Sequence, residues 1–428
     1  MATLGARAGV AILTLVCAAT AVHAMPFGIF DPRSMAMGGT GVSSGTGGNA
    51  SYFNPALLAA AKRNEDRFAF EIMFAARAAD PDKLADDVDR MKSSGNNLTD
   101  ALSRFNQAST LAQWQAASGP LATALGSFRG TLSTVNNKTL EGNLFASPLT
   151  IGVPGRDLGW ALYASARADF SAKLFFSGSD DAMLQNYQNL ANTFSISGTQ
   201  ADFDALIAAF GSGTTLNDPN YQSHLDVRGA AFGEVGVSLA HEFQTTWDNF
   251  AVGITPKYVK VYTFDYSVNP QVSEITADKG RKDYTSSNLD IGFAKDLGSG
   301  FKAGLAGKNV IAHSYTTALG NAIDVKPQLR AGLSYHSSWT TVAVDVDLTE
   351  NKPISFDKPT RFAGIGTELN AWDFLKLRAG YRKDLAGNYK AIPSVGLGLS
   401  IFGLHLDAAV AGRGKEDVMA AVQLGLRF

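Results

Sequence analysis

One cysteine in 428 residues excludes a disulfide framework, a Cys-x-x-Cys redox centre and a thiolate zinc site at once. Charge of neither sign is in excess, with 37 Lys and Arg against 39 Asp and Glu, so no basic surface can follow a nucleic-acid backbone and no nucleic-acid partner is expected. Beyond the N-terminus there is no run of about 20 predominantly apolar residues, which rules out membrane-spanning helices. Charge is scarce altogether: 18% of residues carry it, below the roughly 25% of ordinary soluble domains. The chain has instead 43 glycines and an apolar fraction of 45%.

The N-terminus reads as a targeting segment. Arg7 is the only charge in residues 1–24, Val10 to Ala21 is a short apolar run, and Val22-His23-Ala24 is a small-x-Ala cleavage pattern. The expectation is a secretory signal peptide over 1–24. Cys17 follows Thr14-Leu15-Val16, without the small residue expected before an acylated cysteine, so lipidation is set aside. Cleavage would leave a thiol-free exported chain, suited to an oxidising compartment.

Past the N-terminus the chain alternates with a period of two. Near the C-terminus Val418, Ala420, Val422, Leu424, Leu426 and Phe428 share one face, and Met419, Ala421, Gln423, Gly425 and Arg427 the other. The split recurs at Val342 to Leu348, Leu375 to Arg382 and Trp160 to Phe170. A soluble sandwich also alternates, so the number of elements decides. Strands are expected near 67–77, 139–153, 160–176, 225–243, 250–264, 287–297, 301–311, 328–336, 340–349, 361–371, 374–383, 391–401, 404–412 and 418–428, an even fourteen. Short connections alternate with mostly longer ones, as in a bacterial outer-membrane barrel whose termini are periplasmic. Four of the 5 Trp, namely Trp160, Trp247, Trp339 and Trp372, lie in or beside the short connections, where they would form an interfacial girdle. The fold class expected is therefore all-β: a transmembrane antiparallel β-barrel of about fourteen strands, 63–428, with outer-membrane lipid around it.

Two stretches, about 78–137 and 177–222, break the alternation and read as helical inserts on the extracellular side. Met183, Tyr187, Leu190, Ala191 and Phe194 form an apolar stripe at helical spacing, as do Phe203, Leu206, Ile207 and Phe210, and more briefly Leu98, Leu102 and Phe105. Either these stripes pack on one another, or they leave a surface groove for an apolar ligand.

Motifs for chemistry are weak. Gly41-Val42-Ser43-Ser44-Gly45 matches G-x-S-x-G, and Gly45 to Ala50 matches G-x-G-x-x-A, but neither follows a buried strand or opens an amphipathic helix. The histidines show no metal-ligand spacing, and no cofactor, metal or enzymatic activity is expected. Asp80, Asp82, Asp86, Asp87 and Asp89 are acidic enough for calcium, yet Asp-Pro-Asp reads more simply as a helix start.

With apolar faces toward lipid, Arg167, Asp169, Lys173, Lys302, Lys308, Arg330, His336, Asp345, Asp347, Lys376, Arg378, Arg382, His405, Asp407 and Arg427 point inward. Such charges must be solvated or paired, so the lumen is either wet or cross-linked. Residues 25–62 are Gly-rich and non-periodic, and they precede the first strand, where a segment can fold back as a plug.

That segment carries a resemblance. Arg33-Ser34-Met35-Ala36-Met37-Gly38-Gly39-Thr40-Gly41-Val42 with Tyr52-Phe53-Asn54-Pro55-Ala56-Leu57-Leu58 resembles the N-terminal hatch of the FadL-type long-chain fatty-acid channels. The match is closer to the exported barrels labelled conjugal transfer protein TraF, in Pro26-Phe27, the Arg-Ser-x-Ala-Met-Gly-Gly block, Asn-Pro-Ala-Leu-Leu, Ala79-Asp80-Pro81-Asp82 and Leu158-Gly159-Trp160-Ala161-Leu162-Tyr163-Ala164. The thioredoxin-like protein of the same name is a different one, since the mature chain would have no cysteine. The resemblance implies a fourteen-stranded barrel with a hatch in its lumen. It places Arg33, Gly38, Gly39, Asn54, Pro55 and Ala56 on the hatch and any ligand path. Phe428 resembles the terminal aromatic read by the barrel assembly machinery. Two functions are then open: a gated channel for passive uptake of hydrophobic small molecules, or a non-transport envelope component linked to conjugal transfer, with the inserts as a partner surface.

Overall fold

The computed structural model describes residues 23–24, 31–60, 68–210, 221–245, 249–268, 280–372 and 374–428. Most of the targeting segment, residues 25–30, Trp247 and Asp373 lie outside the described residues.

Fourteen strands form one closed barrel. In chain order they are β1 (Ala69–Ala79), β2 (Thr139–Val153), β3 (Gly159–Phe175), β4 (His224–Gln244), β5 (Asn249–Val268), β6 (Arg281–Gly298) and β7 (Phe301–Lys308). They continue as β8 (Gln328–His336), β9 (Thr340–Asp347), β10 (Phe362–Trp372), β11 (Leu375–Asp384), β12 (Ile392–Ile401), β13 (Leu404–Gly412) and β14 (Asp417–Arg427). Each pairs antiparallel with its chain neighbours, and β14 closes on β1 with Arg427 opposite Ala69 and Asp417 opposite Ala79. Closure leaves no unpaired strand edge, which is what a sheet needs to sit in hydrocarbon.

The alternation fixes which face is which. Along β14 buried and exposed residues alternate without a break, and the exposed set is Val418, Ala420, Val422, Leu424 and Leu426. Phe74, Leu144, Val235, Ile254, Ile365 and Val395 continue this apolar exterior around the wall. Arg330, Asp345, Asp347, Arg378 and Asp407 are buried inside it. The expected fourteen-stranded barrel is the fold observed, with β6 starting at Arg281, earlier than the alternation suggested.

The helical stretches are helices. Between β1 and β2 lie α1 (Leu84–Gln107) and α2 (Leu111–Val135); between β3 and β4 lie α3 (Gly178–Ser197) and α4 (Gln200–Phe210). The Asp80 carboxylate accepts the amides of Leu84 at 2.5 Å and Ala85 at 2.8 Å, the helix-start role of the Asp-Pro-Asp run. Leu98, Leu102, Phe105, Leu121, Leu125, Leu184, Phe194 and Leu206 form one cluster, with Trp114 stacked on Phe203 at 4.6 Å. Among the described residues the stripes pack the four helices together. Arg129 on α2 clamps Asp181 on α3 through two hydrogen bonds of 2.6 and 3.0 Å.

Two connections at the long-loop rim fold inward, which the sequence did not suggest. Between β7 and β8 a small hairpin pairs His313–Thr316 with Ala322–Val325. Its Tyr315, Ile323 and Val325 pack on Phe232, Val259, Val261 and on Ile354 from the connection between β9 and β10. That second connection, a strap over 348–361, also inserts Phe356, whose ring lies 4.6 Å from the Arg228 guanidinium.

Candidate functional site

Residues 31–60 lie inside the barrel and are almost all buried. Asp31 caps a one-turn helix, Pro32–Ala36, by accepting the amides of Arg33 and Ser34. A second short helix, Ala50–Phe53, ends at Asn54, whose extended backbone precedes Pro55 and a 3-10 turn over Pro55–Leu58. Among non-repetitive residues this close to a wall, backbone polar groups must find partners on the wall itself.

They do so through the inward charges. Arg33 reaches Glu368 on β10 with two bonds, 2.9 and 3.1 Å, and donates to the Ser44 carbonyl at 2.6 Å. Glu368 also accepts from Arg378 on β11 at 2.6 Å, and Arg378 continues to Asp407 on β13 at 2.5 Å. A chain Arg33–Glu368–Arg378–Asp407 therefore runs from the segment across the wall. Asp345 accepts the amides of Gly41 and Val42 at 2.8 and 2.9 Å; Arg330 pairs with Asp347 at 2.6 Å and donates to the Gly39 carbonyl at 3.2 Å. Lys302 donates to the Ala60 carbonyl and Lys308 to that of Tyr52. On the closing seam Arg427 pairs with Glu71 at 2.6 Å, and Asn49 bridges Asp31 and Gln423.

Glycines in the wall let the segment approach. Met37 and Gly38 lie on the backbone of β10 and β11 at Gly364, Gly366 and Gly380, Ala36 lies on β12 at Gly396, and Gly38 itself has φ +69°, the left-handed region that suits glycine. Asn54, Pro55 and Ala56 sit over Gly253, Gly292 and Gly304. The Asn54 amide donates to the carbonyls of Val42 at 2.8 Å and Phe293 at 2.9 Å, while its oxygen accepts the Ala56 amide at 3.1 Å. Asn54 is fully buried and bonded on three sides.

Of the other anticipated residues, Arg167 pairs with Asp169 at 2.6 Å. Arg382 is buried without a carboxylate partner among the described residues: its guanidinium lies 4.3 Å from the Phe362 ring and 3.5 Å from the Met419 sulfur. Phe428 is exposed, held through its backbone by Phe68 at 3.0 and 3.1 Å. The loop holding the G-x-S-x-G match lies in the lumen, and the Ser43 hydroxyl meets no hydrogen-bond partner among the described residues. Sequence reading missed Glu71 and Glu368, although both sit at inward parity on strands it had placed, and it missed the Arg77 cluster on β1.

That cluster lines a cavity of about 90 Å³ between the segment and the long-loop rim. Met35, Phe145, Phe362, Ile392 and Met419 supply its apolar lining, and Arg382 faces it. Arg77 holds Asp417 and Glu141 at 2.9 and 3.0 Å, and Tyr389 donates to Glu141 at 2.5 Å. On the outward side of the same wall Ala76, Ala146, Ala168 and Ala420, framed by Phe74, Leu144 and Val422, leave an apolar depression, so one layer of strands separates it from the cavity.

The strap over this cavity carries a titratable residue. Burial pushes the Asp357 carboxyl up to about 7; the negative Glu141 nearby adds to the rise, and the Ser355 hydroxyl opposes it. A carboxyl raised above its unfolded value favours the packed strap while protonated, and that contribution is lost as pH rises through 7. Amide exchange of Phe356, which donates to Ser171 at 2.9 Å, is therefore expected to be slower at pH 6 than at pH 8 after correction for intrinsic rates. The difference should vanish in Asp357→Asn; equal protection at both pH values would contradict it.

A family model described as "F plasmid transfer operon, TraF, protein" matches residues 51–347. Among curated proteins none matches. Among solved structures, the toluene transporter TbuX of Ralstonia pickettii superposes with a TM-score of 0.49 at 13% identity, over 94% of this chain and 100% of its own. The toluene transporter TodX of P. putida gives 0.45 at 12%, over 96% and 99%. The translocator domain of the autotransporter NalP from Neisseria meningitidis gives 0.31 at 9%, over 86% and 90%.

Proposed function

The chain belongs to the TraF protein family of the F plasmid transfer operon, and from that premise we propose that it is an outer-membrane barrel acting as a gated channel for passive uptake of hydrophobic or amphipathic small molecules. Residues 31–60 serve as the hatch, the short-turn rim faces the periplasm, and the long-loop rim faces outward. The observation that carries this reading is the cavity above the hatch. It combines apolar side chains with a buried cation, Arg382, that forms no salt bridge among the described residues. A purely structural lumen gains nothing from a void, since each unfilled volume forfeits packing contacts.

Uptake of radiolabelled long-chain fatty acid and alkane, compared between deletion and complemented cells, tests the proposal. Unchanged uptake of every compound would sink it. A sharper version fills the cavity. Ala75 lines it from β1, and Ala75→Trp is expected to lower uptake about tenfold or more while the protein still shows the heat-dependent gel migration of a folded barrel.

The number of polar contacts gripping the hatch favours a second reading: a permanently closed barrel that serves as an envelope component in conjugal transfer, with the helices α1 to α4 as a docking platform. Mating efficiency in the same deletion tests it. A loss of mating with normal uptake would favour this reading over the channel.

A further inference from the structure

A second cavity lies under the hatch, at the short-turn rim, and the uptake path does not explain its lining. It has a volume of about 250 Å³ and lies between the hatch loop 43–47 and strands β6 to β11 and β14. Arg33, Lys302, Lys376 and Arg427 line it, against Asp296 and Glu368.

The carboxylates there are already engaged. Glu368 takes three hydrogen bonds from Arg33 and Arg378, and Asp296 accepts the Gly298 amide at 2.8 Å. Lys376, half-buried on β11, has neither a hydrogen bond nor an ion pair among the described residues. Two hatch hydroxyls share its situation. Ser43 and Ser44 are 2% and 8% exposed, line the same cavity, and their side-chain oxygens meet no partner among the described residues. Arg33 fixes Ser44 in place through its carbonyl.

An unpaired cation and two unused hydroxyls around one cavity form a donor set without an acceptor. Buried polar groups are normally satisfied, and a charge-assisted bond is roughly twice as strong as a neutral one. We infer that this cavity binds a small oxyanion, a phosphate or carboxylate group entering from the short-turn side, with Lys376 as its charge partner and Ser44 as a hydroxyl donor. A cation would meet an already basic lining. The bound anion joins the hatch loop to β11 at Lys376, where the protein forms no bond of its own, so occupancy holds the hatch down. This does not depend on whether the barrel conducts.

The test uses the full chain in a neutral detergent, titrated with inorganic phosphate by calorimetry. Saturable one-site binding is expected, weakened at least tenfold in Lys376→Met, several-fold in Ser44→Ala, and regained in Lys376→Arg. Phosphate should also raise the melting temperature of wild type and leave that of Lys376→Met unmoved. A parallel arm in nanodiscs compares phosphatidylglycerol with phosphatidylcholine. Phosphate binding blocked only by phosphatidylglycerol identifies a lipid headgroup as the source, and unblocked binding identifies a free solute. Gel migration controls for folding of each variant. Absence of saturable phosphate binding, or equal binding in wild type and Lys376→Met, overturns the inference.

Discussion

Replacing Glu368 by alanine is expected to turn a closed barrel into a leaking one. Its carboxylate is the shared partner of Arg33 on the hatch and Arg378 on β11, and all three side chains are close to fully buried. Removing one member of a buried ion pair costs about 3–5 kcal/mol, because the remaining charge is left without a partner. Here two guanidiniums lose it together, and the one on the hatch has water within reach if the hatch moves toward the cavity beneath. At 1.4 kcal/mol per factor of ten, displaced states gain population by a hundredfold or more. Single-channel recording in planar bilayers should show frequent openings in Glu368→Ala and rare ones in wild type, and cells should become sensitive to bulky antibiotics. Glu368→Gln, which keeps an acceptor oxygen, should fall between. Conductance identical to wild type would mean that the grip of Asp345 and Asn54 holds the hatch without this chain.

Gly292→Val should have a comparably large effect by a different route. A Cβ at Gly292 falls on the Asn54 side-chain oxygen and 2.9 Å from Pro55 Cδ, and Gly253 and Gly304 press the same turn from either side, so sideways relief is blocked. Overpacking of this kind costs about 1–3 kcal/mol, and each buried polar group of Asn54 stripped of its partner adds about 1–3 kcal/mol. Hydrogen exchange should show residues 42–58 losing protection while the strands keep theirs. Gly233→Ala is the control. A Cβ there meets only the Lys260 carbonyl at 3.9 Å, an ordinary contact, and should be silent. If both variants behave alike, close approach at Gly292 does not decide where the hatch sits.

The wall of this barrel was legible in the sequence because strand parity is strict. Val418 to Phe428 alternates without a break, and the order of short and long connections gives the direction of every strand. Parity tells which side a residue faces and leaves its depth along the barrel axis open. Arg378 and Asp407 could both be placed inside, but their meeting across two strand spacings depends on register, which only the hydrogen-bond ladder supplies. The inward-folding hairpin His313–Val325 escaped notice because strands of four residues are too short to establish a period. The strap 348–361 has no periodicity at all. Its burial rests on Ile354 finding apolar partners on distant strands and on Phe356 meeting the Arg228 guanidinium of β4. On the hatch, residue types such as Arg33 and Asn54 stood out, whereas parity puts Glu368 inside without pairing it to Arg33, and the Phe293 carbonyl carries no signal until the wall exists.

The contacts of the hatch also constrain the order in which the molecule is made. Arg33 and Glu368 lie 335 residues apart in the chain, and Asn49 and Gln423 lie 374 apart. The entropy of closing such loops grows only with the logarithm of their length, so distance is a modest thermodynamic burden. Timing is a different matter. The hatch is synthesised first, yet its partners on β10, β11 and β14 are among the last residues to emerge. The Asn49 amide must stay hydrated until the first and last strands join and bring Gln423 to it. Asn49 on Gln423 and Arg427 on Glu71 sit on that very seam, so this hold on the hatch can be made only as the wall is sealed.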